Sequence, residues 1–130
     1  MRRGERGQAL VEFALVLPVL LVIALAIAEL SELGIARLAL EHAAAEGART
    51  AALTNDDGLV RASVSAAVAP LDGGQVDVAI EPSEAQRGSD PRGTLVSVRL
   101  RYATAAPLSF IGLPGFVVTG QAARLMEWEP

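Results

Sequence analysis

Gln8-Ala9-Leu10-Val11-Glu12-Phe13-Ala14-Leu15-Val16-Leu17-Pro18-Val19-Leu20-Leu21-Val22-Ile23-Ala24-Leu25-Ala26-Ile27-Ala28 is the stretch on which the reading of this chain turns, because it is an apolar run with a single charge, Glu12, near its start. At about 1.5 Å rise per residue it reaches about 30 Å, the thickness of a bilayer's hydrocarbon core. Pro18 removes one backbone donor, a defect that a membrane helix accommodates. Arg2, Arg3 and Arg6 precede the stretch against one acid, Glu5, while Glu29 and Glu32 follow it before any base appears. The positive-inside bias therefore predicts a single-pass protein of the inner (cytoplasmic) membrane, with Met1 in the cytoplasm and the C-terminus outside.

Two other readings of the segment stay open. Ala26-Ile27-Ala28 has the small-x-small form of a secretory cleavage site, and a plain anchor whose Glu12 reaches the interface is the other. Against the first, the apolar run is long, carries a carboxylate and continues as helix. Glu12 calls for explanation, since a charge at the centre of a span costs about 2.5 to 3.5 kcal/mol, less near the edge. The next base after Arg6 is Arg37, so a compensating positive charge is expected from outside this helix. A cut between Gly7 and Gln8 would create such a charge, a new α-amino group at the membrane surface.

The run Gly7-Gln8-Ala9-Leu10-Val11-Glu12-Phe13, followed by an apolar helix containing Pro18, resembles the N-terminus of TadE-like pseudopilins of the tight-adherence (Flp) pilus system. Glu46-Gly47-Ala48-Arg49-Thr50-Ala51-Ala52 is similar to the segment that follows the membrane helix in that family. The resemblance implies a basic leader ending at Gly7, removal by a prepilin peptidase before Gln8, and Glu12 with Phe13 marking the mature helix and its register. It implies packing through Leu10, Leu17, Pro18, Leu21 and Ala24, with other pilin and pseudopilin subunits, the inner-membrane assembly platform and the lipid bilayer as partners. Phe13 in place of the Tyr of major Flp pilins, and the length of 130 residues, imply a minor pilin or pseudopilin that takes part in pilus assembly and adhesion. The alternative is an unprocessed single-pass envelope scaffold of a secretion or pilus complex. A third reading, a soluble exported binding protein, would have the chain begin at Glu29.

Beyond the span, Leu30, Leu33, Leu38, Leu40 and many alanines recur at helical spacing, so the helix is expected to continue to about residue 54. Small residues from Ala36 to Ala52 permit close approach of another element. Asn55-Asp56-Asp57-Gly58 reads as a turn capping a short helix from Gly58 to about Val68; its spacing does not meet a calcium loop. Val76–Glu81 and Leu95–Tyr102 alternate with period two and read as strands, the second with Val96, Val98, Leu100 and Tyr102 on one face. Pro82–Gly93 reads as a polar loop. Pro107–Gly115 reads as a loop whose Leu108, Phe110, Ile111 and Leu113 touch a partner or the membrane, or fold back on the core. A last strand from Phe116 to about Met126 completes a three-stranded antiparallel sheet, and Trp128 covers its edge or binds a partner.

The expected fold is thus α+β: a leader at 1–7, a transmembrane helix at 8–28, an Ala-rich helical extension at 29–54 and an exported head at 55–130. The 11 basic residues, all arginine, are scattered among 15 acids for a net charge of −4, which argues against nucleic acid as a partner. With no cysteine, disulfides, thiolate chemistry and Cys-based zinc sites are excluded. His42, the only histidine, has no nucleophile beside it, and hydrolase, nucleotide-binding and metalloprotease motifs are absent. Neither an enzyme nor a metal or cofactor is expected.

Overall fold

The computed structural model describes residues 2–105, 112 and 114–130, with the side chains of residues 2 and 3 left aside. Helix α1 runs Arg2–Thr54 and is followed by helix α2 (Asp57–Ala67), strand β1 (Val76–Glu81), a single-turn helix α3 (Glu84–Arg87), and strands β2 (Leu95–Thr104) and β3 (Phe116–Leu125). The chain divides into two units, Met1–Leu33 and Gly34–Pro130. The α+β architecture expected from sequence is the one found.

In the second unit the strands form one antiparallel sheet in the order β1-β2-β3. Val78 faces Leu100, and Leu100 faces Gly120 on its other side. Because strand side chains alternate between faces, Val96, Val98 and Leu100 all point to one side, where they are buried with Leu40, Val60, Val64 and Val68 of the helices. Arg99 and Arg101 point to the other side and are exposed. Met126, just past β3, closes the core, and Trp128 packs against it half-buried.

The part of α1 that covers this sheet is buried mainly through alanine. Ala36, Ala39, Leu40, Ala43, Ala44, Ala48, Ala51 and Ala52 are buried, whereas Leu30 and Leu38 are exposed. The leucines read from sequence as the periodic face are therefore largely outside, and only Leu40 reaches the core centre. Small side chains are required because the backbones come close. A Cβ placed on Gly120 would lie 2.6 Å from the carbonyl carbon of Leu40 and 2.8 Å from the amide nitrogen of Glu41. A Cβ on Gly47 would lie 2.7 Å from Cγ2 of Val64 and 3.3 Å from Cγ1 of Val98. The two glycines thus set how near α1 lies to β3 and to α2.

The junction of α1 and α2 is held by a polar network that the sequence reading missed. Asn55 adopts a left-handed φ of 51°, a conformation asparagine tolerates at helix ends, and Asp56 caps α2 by accepting from the Leu59 amide at 3.0 Å. The segment read as a polar loop, Pro82–Gly93, contains α3, and its Arg87 side chain is buried. Arg87 donates from Nε to Asn55 Oδ1 (2.7 Å), from Nη1 to the Pro82 carbonyl (2.6 Å) and from Nη2 to Asp57 Oδ1 (2.6 Å). Asp57 and Glu84 each accept from the other's backbone amide, at 3.0 and 3.1 Å. A four-residue helix gives no periodic signal, and every partner of Arg87 on α2 lies far from it in sequence. The acidic turn at Asn55–Gly58 is thereby committed to capping and to this arginine.

Candidate functional site

The residues singled out from sequence lie on the first unit of α1. A helix that is apolar all round either sits inside a large core or crosses a membrane. From Leu10 to Ile27 no large side chain of this helix is covered by the rest of the protein, exposures running from 71% at Leu10 to 40% at Leu17. The core option is therefore removed, and among the described residues this is the one helix long and apolar enough to be a membrane span.

Gly7 and Gln8 lie in the second turn of this helix, exposed, with open space around the Gly7 Cα. Gln8 and Glu12 sit one turn apart, and Gln8 Nε2 donates to Glu12 Oε1 at 3.3 Å. A carboxylate has about four lone-pair sites, so one neutral amide leaves its charge and most of its accepting capacity free. Sequence reasoning looked for a base and overlooked this helical neighbour at i−4. Phe13 follows Glu12 and is exposed. Leu10, Leu17, Leu21 and Ala24 recur at intervals of seven, four and three, which places them along one helical face, with Pro18 beside it. All five are exposed.

Residues 7–49 match the family model described as TadE-like protein. The chain is TadE-like over this segment. The match spans both runs that carry the resemblance, Gly7–Phe13 and Glu46–Arg49. Its first residue is Gly7, the expected last residue of the leader. None of the curated proteins and none of the solved structures compared matches the chain. The TadE-like match stops before α2 and the sheet, so these elements are read from their own geometry.

In the head, His42 is exposed on α1. An open depression is lined by Asn55, Asp57, Ser83, Glu84, Ala85 and Gly88. Of these, Asn55, Asp57 and Glu84 belong to the network already described. Leu108, Phe110, Ile111 and Leu113, the expected apolar loop tip, lie outside the described residues.

Proposed function

We propose that this Tad pilus-associated protein is a minor pilin or pseudopilin. In this reading the span Gln8–Ala28 holds the subunit in the inner membrane with its N-terminus in the cytoplasm. A prepilin peptidase removes the residues up to Gly7, and the mature subunit joins other pilins and pseudopilins at the assembly platform, serving pilus assembly and adhesion. The observation that carries the reading is an apolar helix uncovered on every face inside a segment matched to the TadE-like proteins from Gly7 onward. Lipid covers such a helix when the subunit is stored, and neighbouring helices cover it when the subunit is assembled. The face formed by Leu10, Leu17, Leu21 and Ala24, with Pro18 beside it, supplies that second surface.

Glu12 sets register. Cleavage places an α-amino group on Gln8, and the part of the Glu12 carboxylate not used by the Gln8 amide accepts the amine of a neighbouring subunit. The orientation follows from Arg6 and the arginines before it, opposed by Glu29 and Glu32 after the span. The N-terminal mass of the membrane-extracted protein after coexpression with the pilus genes tests this directly. A chain beginning at Gln8 is the expected result, and one retaining Met1 overturns processing. Glu12→Ala is expected to leave cleavage intact and to reduce assembly; normal filaments would remove the register role.

The Gln8–Glu12 hydrogen bond also favours a second reading, an unprocessed single-pass scaffold, because it gives the acid a partner within its own helix. The same mass measurement separates the two.

A further inference from the structure

We propose that the free edge of β3 is a docking site for an extended, uncharged segment of another protein, which joins the sheet as a fourth strand. The inference concerns the head alone and depends neither on the membrane span nor on processing.

The strand order leaves β1 and β3 as the two edges of the sheet. In an antiparallel ladder, alternate residues turn both backbone groups toward the same neighbour. Just past β3 the Met126 amide donates to the Thr94 carbonyl at 2.9 Å, on the β2 side, whereas the Glu127 amide turns away from β2 and donates to the Ala52 carbonyl. Carried back along the unbroken register, that alternation turns the amides and carbonyls of Val117, Thr119, Gln121, Ala123 and Leu125 to the free edge. All five residues are exposed, and these backbone groups have no hydrogen-bond partner among the described residues. Donors and acceptors thus repeat along the edge about every 6.6 Å, and another extended chain offers the matching row.

The other edge is closed. On β1 the outward groups belong to Val76, Val78 and Ile80. The Val76 amide donates to the Gly73 carbonyl, Arg61 Nη1 donates to the Val78 carbonyl at 3.1 Å, and the next outward position is Pro82, which has no amide hydrogen. Asp77 and Glu81 add charge. Such devices keep a sheet edge from pairing. β3 has none of them: it is ten residues long against six for β1, it contains no proline, and residues 102–123 carry no charge.

The occupant is not β3 of a second copy. The backbone of Leu40 and Glu41 lies against the inner face of Gly120, where a Cβ would approach to 2.6 Å. A helix is about 10 Å across and paired strands lie about 4.8 Å apart, so joining two β3 edges about Gly120 would drive two α1 helices into one another. β1 of a second copy is closed as described. What fits is a segment with no helix over it. Phe116–Ala123 offers no charge for it to pair with, and the close approach of α1 calls for a small side chain beside Gly120.

Amide hydrogen exchange of the full-length protein in detergent, resolved by residue, tests this. The probe is a synthetic peptide with the sequence of Phe116–Leu125, which carries the uncharged run and a central glycine but no helix. The peptide is expected to slow exchange at Val117, Thr119, Gln121 and Ala123 at least tenfold and to leave Val78 and Ile80 unchanged, while a scrambled peptide does nothing. Thr119→Pro removes one outward donor and spares the bonds to β2, so it should weaken peptide binding at least tenfold; if that variant fails to fold, the wild-type exchange pattern decides. No added protection at the outward residues, or equal protection by the scrambled peptide, overturns the inference. Protection of the same amides that grows with protein concentration alone also overturns it, since a second copy would then be the occupant. None of these outcomes bears on the N-terminal mass, so the pilin reading stands or falls separately.

Discussion

Along α1 the large aliphatic side chains of residues 10–27 are uncovered, while between residues 36 and 52 it is the alanines that are buried. A water-soluble helix would be built the other way round, with its leucines inside. The difference shows what surrounds each region. In the first, an apolar phase outside the chain must cover the leucines, valines and isoleucines; shape matters little and apolar area matters most. In the second, the sheet and α2 approach so closely that bulk is excluded, and apolar area comes from the facing side chains Val60, Val64, Val96, Val98 and Leu100.

The sharpest way to break this contrast is to add bulk where the backbones nearly touch. Gly120→Val is expected to cost the head about 3 kcal/mol, because its nearest neighbours are backbone atoms that cannot turn aside. Chemical denaturation of the full-length protein in detergent measures it. By contrast, Leu17→Ala in the span should leave the same transition within about 0.5 kcal/mol.

Next in size is the polar tie between α2 and α3. Arg87→Met removes three donors and leaves Asn55 Oδ1, the Pro82 carbonyl and Asp57 Oδ1 without this partner. A loss of about 2 kcal/mol is expected, less than for a wholly buried pair because Asp57 is partly exposed. Retained stability in this variant would show that the network is incidental.

Two glycines on the one helix should then respond with opposite signs. Gly34→Ala meets open space and is expected to stabilise the head by up to about 1 kcal/mol through helix propensity. Gly47→Ala gains the same propensity but drives a methyl group into Val64 and Val98, and a net loss of about 1 kcal/mol is expected. Equal effects would mean that the close approach at Gly47 is absent in solution.

The smallest effect is acidic. Arg92, 2.9 Å from Asp90, holds the Asp90 carboxyl below its ordinary value, chiefly through their side-chain hydrogen bond. A folded pKa below the unfolded one gives stability that is present above the unfolded value and is lost as pH falls through the folded value. Because the pair is fully exposed, solvent keeps the gain slight. Asp90→Asn should flatten that part of the acid-side slope of the unfolding midpoint and leave the neutral-pH midpoint nearly unchanged.

How legible these features were follows from the range of the forces behind them. The long apolar helix, α2 and the strands declare themselves by local composition and periodicity and by the Asx cap at Asp56, so sequence indicated them closely. β1 matches its expected limits, and β2 extends two residues beyond Tyr102 to Thr104. Arg87 could not be found this way, because its partners Asn55 and Asp57 are adjacent only after the head has closed. The burial of alanines in place of Leu30 and Leu38 was hidden for the same reason: periodicity ranks faces by hydrophobicity, while the packed face was chosen by steric fit at Gly47 and Gly120. For the N-terminal site, the TadE-like runs gave the segment, and the Gln8–Glu12 bond needed side-chain geometry.

The contact of Gly120 with Leu40 joins the earliest core helix of the head to its last strand. On the proposed topology the chain is translocated from the N-terminal side, so the alanine face emerges well before the strand that covers it. Until β3 has crossed, that face has no complete sheet to receive it, and the head cannot lock. On that topology folding of the head is timed by the arrival of β3 outside the membrane, which delays presentation of a finished head until that strand has left the translocation channel.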